Sequence, residues 1–241
     1  MIKPLTLEGP TMRPASGGPA KALVVLLHGW GADGQDLIGL APYFAQMLPH
    51  AAFMSPDGPF PCETGFGRQW FSLADRSPET LLAGVRAVRG LVDAFLDDQL
   101  AALGLTPDRL ALVGFSQGTM TALHVACRRD RPIAAVVGYS GMLIPGDAAE
   151  IRSRPPVMLV HGDADPVVPA DAMAAAAAYL RELGFPVETH LRRGLGHGID
   201  PEGIVLGDAS SPDIWAPPRA NRLMQRGVRF RAEAHRLAST R

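Results

Sequence analysis

Between residues 110 and 118 the chain reads Leu-Ala-Leu-Val-Gly-Phe-Ser-Gln-Gly, an apolar run that ends in a serine between two glycines. A short apolar run of this kind suits a buried strand. A G-x-S-x-G segment directly after it has the form of a nucleophile elbow. There a strand turns sharply into a helix, and the serine takes a strained backbone position that lifts its Oγ clear of the sheet. The glycines at 114 and 118 keep backbone atoms apart in so tight a turn. Thr119–Arg128 then reads as the outgoing helix, with Met120, Leu123 and Cys127 at helical spacing on one face. An isolated serine after a strand is ordinarily a turn or cap residue; Ser116 is set apart by its glycines and by its partners downstream.

A nucleophilic serine needs a base to take its proton and a buried acid to hold that base in one tautomer. Val157–Val160 is a second apolar strand, followed by His161-Gly162-Asp163-Ala164-Asp165-Pro166-Val167-Val168-Pro169. An aspartate is thereby placed in a loop at a strand's C-terminal end, where open α/β sheets bind their ligands. Asp163 and Asp165 are both candidates for the acid. Asp165 is preferred because Pro166 fixes the backbone beside it. Val187–Leu191 reads as a further strand and leads to Gly194-Leu195-Gly196-His197-Gly198, so His197 comes after the acid in the order serine, acid, histidine. Of the seven histidines, His197 alone sits in a glycine-flanked loop late in the chain. His124 and His190 read as structural, and His50 and His235 as surface residues.

An oxyanion that develops on the substrate requires main-chain N–H donors aimed at it. The N–H of Gln117, next to the nucleophile, is one candidate. Trp30 supplies the other, from His28-Gly29-Trp30-Gly31 after the early strand Leu23–Leu27. His28 reads as a brace for that loop.

With these segments in place the chain resembles the phospholipase/carboxylesterase family of α/β-hydrolases, which includes bacterial carboxylesterases and acyl-protein thioesterases. The resemblance spans roughly residues 20–205. It is carried by Leu27–Asp33, Gln69-Trp70-Phe71, Gly114–Gly118, His161–Pro169 and Gly196-His197-Gly198. It implies an α/β-hydrolase fold, a mostly parallel central sheet with helices on both faces and no large cap domain. It further implies Ser116 as nucleophile, Asp165 as acid, His197 as base, and the N–H groups of Trp30 and Gln117 as the oxyanion hole. The family hydrolyses carboxylic esters or thioesters with no metal and no organic cofactor. Thioesters and lysophospholipids are served by the same triad, and a non-catalytic acyl-ligand binder is the reading from another class, which a broken triad would mark.

The 241 residues suit a single α/β domain with a large core. A formal net charge of −1 gives no electrostatic case for nucleic acid. No apolar run approaches a membrane span, and Met1–Leu7 lacks a signal-peptide core, so the expectation is a cytoplasmic protein without stable membrane insertion. Cys62 and Cys127 form no framework and read as free thiols.

Strands and helices alternate along the chain, as a parallel sheet covered on both faces requires. Residues 37–48 suit a helix or helix pair broken at Pro42, and 51–54 a short strand. Ser77-Pro78 opens a long helix with Leu81, Val85, Val88, Val92 and Phe95 on its buried stripe. Residues 133–139 form another strand, and 172–183 a helix ending at Gly184. The intervening Ser55–Pro78 loop bears on specificity, since long loops in compact domains carry function. The family resemblance places Trp70 at the rim of an acyl site, whereas Phe71 plugs the loop onto the core. Met142, Leu143 and Val168, just past strand ends, are further substrate-binding candidates. The short 146–155 connection leaves no room for a cap, which points to an open, shallow site for small or flexible acyl groups. Residues 207–241 depart from the family pattern, with seven arginines against three acids, a net charge of about +4. A basic helix over 220–237 suits this segment, and packing on its own domain, joining a homodimer and staying mobile are all open to it.

Overall fold

A computed structural model describes residues 5–206. The expectations for residues 207–241, including His235, the basic helix and its use in a homodimer, lie outside the described residues. Nine strands occur among those described: β1 (Thr11–Met12), β2 (Ala22–Leu27), β3 (Ala51–Met54), β4 (Phe60–Pro61), β5 (Arg68–Gln69), β6 (Leu110–Phe115), β7 (Ala135–Tyr139), β8 (Val157–Gly162) and β9 (Val187–Arg192). The α-helices are α1 (Gly34–Leu37), α2 (Ala41–Met47), α3 (Pro78–Leu103), α4 (Gln117–Ala126), α5 (Asp171–Glu182) and α6 (Pro201–Leu206). Seven strands build one sheet in the order β1-β3-β2-β6-β7-β8-β9, while β4 and β5 pair as a separate hairpin. Only β1 runs antiparallel in the large sheet. The expected α/β-hydrolase architecture, a mostly parallel sheet between helical layers, is the observed one.

Strand side chains alternate between two apolar cores because successive Cβ atoms point to opposite faces. Leu23, Val25, Leu27 and Leu112 face one core, which α3, α4 and α5 cover; Val24, Leu26, Val113 and Val160 face the other, under α2 and α6. Parallel strands buried on both faces read as continuous apolar runs, and β2 and β6 do so.

Helix α3 starts where Ser77 caps it, accepting the Thr80 N–H, and ends at Gly104 in the left-handed region (φ 65°). Its buried stripe runs Leu81, Val85, Val88, Val92, Leu96, Leu100. Phe95, expected in that stripe, is only half-buried. Over 26 residues the contact face drifts, and the smaller Leu96 takes the seat. Pro42 does not break a helix but starts one, standing in the first turn of α2 after a single 3₁₀ turn at Ile38–Leu40.

The topology positions the site. The chain fills the sheet outward from β2, first to β3 on one side and then to β6 on the other. The neighbouring C-terminal ends of β2 and β6 therefore form a switch point where a crevice opens. Leu27 is level with Gly114, Phe115 with Tyr139, and Gly162 with Arg192, so the loops after β2, β6, β7, β8 and β9 leave along one edge. Between β7 and β8 only a 3₁₀ turn, Ala148–Glu150, is formed, so no cap is inserted at that point of the chain.

Candidate active site

Ser116 stands between β6 and α4 with φ 52° and ψ −114°, one of two non-glycine residues with positive φ among those described. Such a conformation is retained only where its surroundings enforce it. The Ser116 N–H donates to Tyr139 O at 2.9 Å, and its carbonyl accepts from Thr119 N–H at 3.0 Å. Gly118 permits the close approach: a Cβ there would lie 1.8 Å from Leu27 O. The elbow thus presses directly on the end of β2, from which the loop bearing Trp30 departs.

Asp165 and His197 meet across the loops after β8 and β9, with His197 Nδ1 2.7 Å from Asp165 Oδ2. The carboxylate is shielded from solvent (0% exposed). Its Oδ1 accepts the N–H groups of Val167 (2.8 Å) and Val168 (2.9 Å). Burial by itself opposes ionisation of Asp165, but the hydrogen bonds from His197, Val168 and Val167 outweigh it and hold the carboxyl below the usual carboxylate range. Asp163 is the other candidate, and it faces elsewhere: its Oδ1 accepts the Gly194 N–H at 2.6 Å and so steadies the histidine loop. Because Nδ1 of His197 carries the hydrogen toward the carboxylate, Nε2 is the nitrogen with a free lone pair. The Phe115 ring, one residue before Ser116 in the chain, packs on the imidazole with centroids 5.0 Å apart. The Ser116 hydroxyl makes no hydrogen bond to that ring. Catalytic hydrogen bonds of this kind are often long until substrate is bound.

The N–H groups of Trp30 and Gln117 donate to no acceptor among the described residues, whereas the adjacent Gly31 N–H is engaged by Arg68 O at 2.9 Å. Both lie at the junction of the two loops. Trp30 is held through its indole, which donates to Gln69 Oε1 at 2.9 Å. The Gln117 side chain works as a strap, its Oε1 accepting the Trp70 N–H (2.9 Å) and its Nε2 donating to Phe71 O (2.7 Å).

Trp70, expected at the rim of the site, is instead fully buried. Its indole donates to His28 O at 2.9 Å and its ring packs on His28, so it braces the Trp30 loop from beneath and meets no solvent. His28 is the brace expected of it: Nε2 accepts the Gly58 N–H (2.8 Å), Nδ1 donates to Gly29 O (2.7 Å), and burial lowers its pKa. Val168, also expected to meet substrate, turns inward and is buried, while Val167 is exposed. The turn closed by Asp165 Oδ1 rotates the loop by one residue relative to the expectation. Leu143 lines a small cavity with Cys127, Ile144, Ile151 and Tyr179 that none of Ser116, Asp165 and His197 borders. Met142 is half-buried against the core. Phe71 is buried in that same core, as expected.

Several residues around the site have roles that the sequence alone does not assign. Ser140, the second residue with positive φ (48°), donates its hydroxyl to Gly198 O at 3.1 Å and tethers the His197 loop to the end of β7. Arg192 pairs with Asp200 at 2.9 Å and with Glu202, closing the base of that loop on both sides. The Arg192 bonds keep the Asp200 carboxyl below its usual range. His161 stands against Asp165, its Nε2 3.2 Å from Oδ2. By contrast, the glycines flanking His197 answer no crowding, since a Cβ at Gly198 would meet nothing within 4 Å. His124 is buried on α4 with neither ring nitrogen bonded, and burial together with the nearby Arg128 pushes its pKa down to about 3. Burial likewise pushes the Cys127 thiol up to about 11. No helix among the described residues is long and apolar enough to cross a membrane.

Residues 14–206 match the phospholipase/carboxylesterase family. Among curated proteins, esterase YpfH of Escherichia coli is 28% identical over 184 residues, covering 76% of this chain and 78% of that protein. Acyl-protein thioesterase 1 of Schizosaccharomyces pombe is 30% identical over 171 residues, covering 66% and 75%. Among solved structures, that of esterase PE8 superposes with a TM-score of 0.82 at 40% identity, covering 87% of this chain and 99% of its own. The elbow, the loop after β2 and the paired Asp165 and His197 thus stand in the setting of relatives named as esterases and thioesterases, and the chain belongs to the phospholipase/carboxylesterase family.

Proposed function

We propose that the protein is a serine hydrolase that cleaves carboxylic esters of small or flexible acyl groups through an acyl-enzyme. The observation that carries this reading is the 2.7 Å contact between His197 Nδ1 and a solvent-shielded Asp165, on the sheet edge where a strained Ser116 also leaves its strand. Asp165 fixes the tautomer in which Nε2 accepts a proton. Ser116 Oγ attacks the acyl carbon as His197 Nε2 takes its hydrogen. The resulting oxyanion accepts the N–H groups of Trp30 and Gln117, which have no other acceptor to give up. Collapse breaks the bond to the alcohol or thiol, which leaves with the proton returned by His197. Water, deprotonated by the same ring, then releases the acid and restores Ser116.

Thioesters are the second class, supported by the likeness to acyl-protein thioesterase 1. A reducing compartment, the cytoplasm, suits the two buried and unpaired thiols, Cys62 and Cys127. Ser116→Ala should lower kcat on p-nitrophenyl esters by about 10⁶, the size of nucleophile knockouts in triad enzymes. Turnover near that of the parent, or failure of a fluorophosphonate to label Ser116, overturns the proposal. A panel of matched ester and thioester chain lengths ranks the two substrate classes.

A further inference from the structure

The hydrogen bonds around Asp165 are more numerous than a triad requires. Oδ1 takes two main-chain N–H groups and Oδ2 takes His197. A second imidazole reaches the same Oδ2. His161, the penultimate residue of β8, is buried (1% exposed). Its Nε2 lies 2.8 Å from Val168 O and 3.2 Å from Asp165 Oδ2. Both neighbours of that nitrogen are acceptors, a carbonyl and a carboxylate. A lone pair there would face two others at short range, so the hydrogen resides on Nε2.

We propose that His161 is a positioning residue for the acid, sharing its Nε2 hydrogen unevenly between Val168 O and Asp165 Oδ2. This rests on the hydrolase reading of the site. A carboxylate withdrawn from water must have its lone pairs met by protein donors. With Oδ1 anchored by the 167 and 168 amides, the orientation of Oδ2 about the Cβ–Cγ bond determines where His197 is held. His161 closes the side of Oδ2 that His197 leaves open. Through the Val168 carbonyl it also ties down the turn whose amides hold Oδ1. One imidazole thus fixes the carboxylate at both oxygens, while the other is aimed by it.

Two measurements test this. In wild-type protein labelled with ¹⁵N-histidine, long-range ¹H–¹⁵N spectra should give a protonated Nε2 for His161; a bare Nε2 across the range of activity overturns the proposal. The second is a double-mutant cycle. His161→Phe keeps the ring and removes the donor, and should lower kcat about tenfold or more with KM within about twofold, the scale of coupling between contacting groups. His161→Gln, which returns an N–H at similar reach, should recover most of that loss. In the Asp165→Asn background His161→Phe should cost less than about twofold, because the group it acts through is gone. Equal losses in both backgrounds assign His161 to packing alone and overturn the proposal, as does a kcat for His161→Phe within about twofold of the parent. The tautomer measurement needs no variant and decides the matter if His161→Phe does not fold. It also needs no substrate, so an enzyme whose turnover survives Ser116→Ala would overturn the hydrolase reading and leave the His161 contact to be judged separately.

Discussion

Asp165 concentrates the chemistry at the residue scale, because one carboxylate with no solvent exposure serves two oxygens' worth of donors. Replacing it by asparagine keeps the shape but offers His197 an amide that can favour the wrong tautomer. Asp165→Asn should therefore lower kcat by about 10⁴ with a smaller change in KM. A loss under tenfold would remove Asp165 from the role of orienting acid. The pH dependence has a definite sign. The folded Asp165 pKa lies below its unfolded value of about 3.9, so its contribution to stability is complete above that value and is lost only as pH falls through the lower, folded one. Asp165 stays ionised throughout the range from pH 8 to 5. The acidic limb of log kcat/KM over that range should then carry no proton from this carboxylate and be no steeper than a slope of about one. A slope of two over that range would mean that the carboxylate titrates there as well.

Elements, rather than single residues, explain which parts of this site can be read from sequence. The elbow is legible because its signal is local: an apolar strand, a serine and two close glycines. Trp70 is not, because its burial depends on His28 O and the Gln117 side chain, 42 and 47 residues away. An aromatic in a proline-rich loop reads as a lip when it is a wedge. The expectation for Val168 is out by one residue for a similar reason, since the turn capped by Asp165 sets which valine faces out. Asp163 and Asp165 are separated by partners from the later loop, the Gly194 N–H for the former and His197 for the latter. Ser140 and His161 act through single contacts to loop residues, Gly198 for the former and Asp165 and Val168 for the latter, and leave no periodicity to detect. The same glycine-to-alanine change should have opposite signs in two helices. In α4, Gly118→Ala sets a methyl against Leu27 O and should abolish turnover and lower Tm. In α3, Gly90→Ala is exposed with nothing within 4 Å, and should stabilise by about 0.5–1 kcal/mol, read from urea unfolding. A stable, active Gly118→Ala protein would refute the tight seat of the elbow on β2.

On the scale of the whole molecule, strand order does what no single segment can. Ser116, Asp165 and His197 are carried by β6, β8 and β9 and the Trp30 loop by β2, and only a parallel sheet with level C-terminal ends brings all four to one edge. The alternating apolar strands and intervening helices make that sheet legible in the sequence; the straps that finish the site are not. Those straps have a further consequence. The two amides proposed for the oxyanion come from positions 30 and 117, and each is secured by the segment around residues 58–71, so under that proposal no locally folded fragment contains a working set. Ester turnover is accordingly a gauge of the intact native state: along a urea series, assayed after equilibration, its midpoint should superimpose on that of tryptophan fluorescence. Turnover that vanishes well before the fluorescence changes would reveal a loosely fastened oxyanion loop on an otherwise folded sheet.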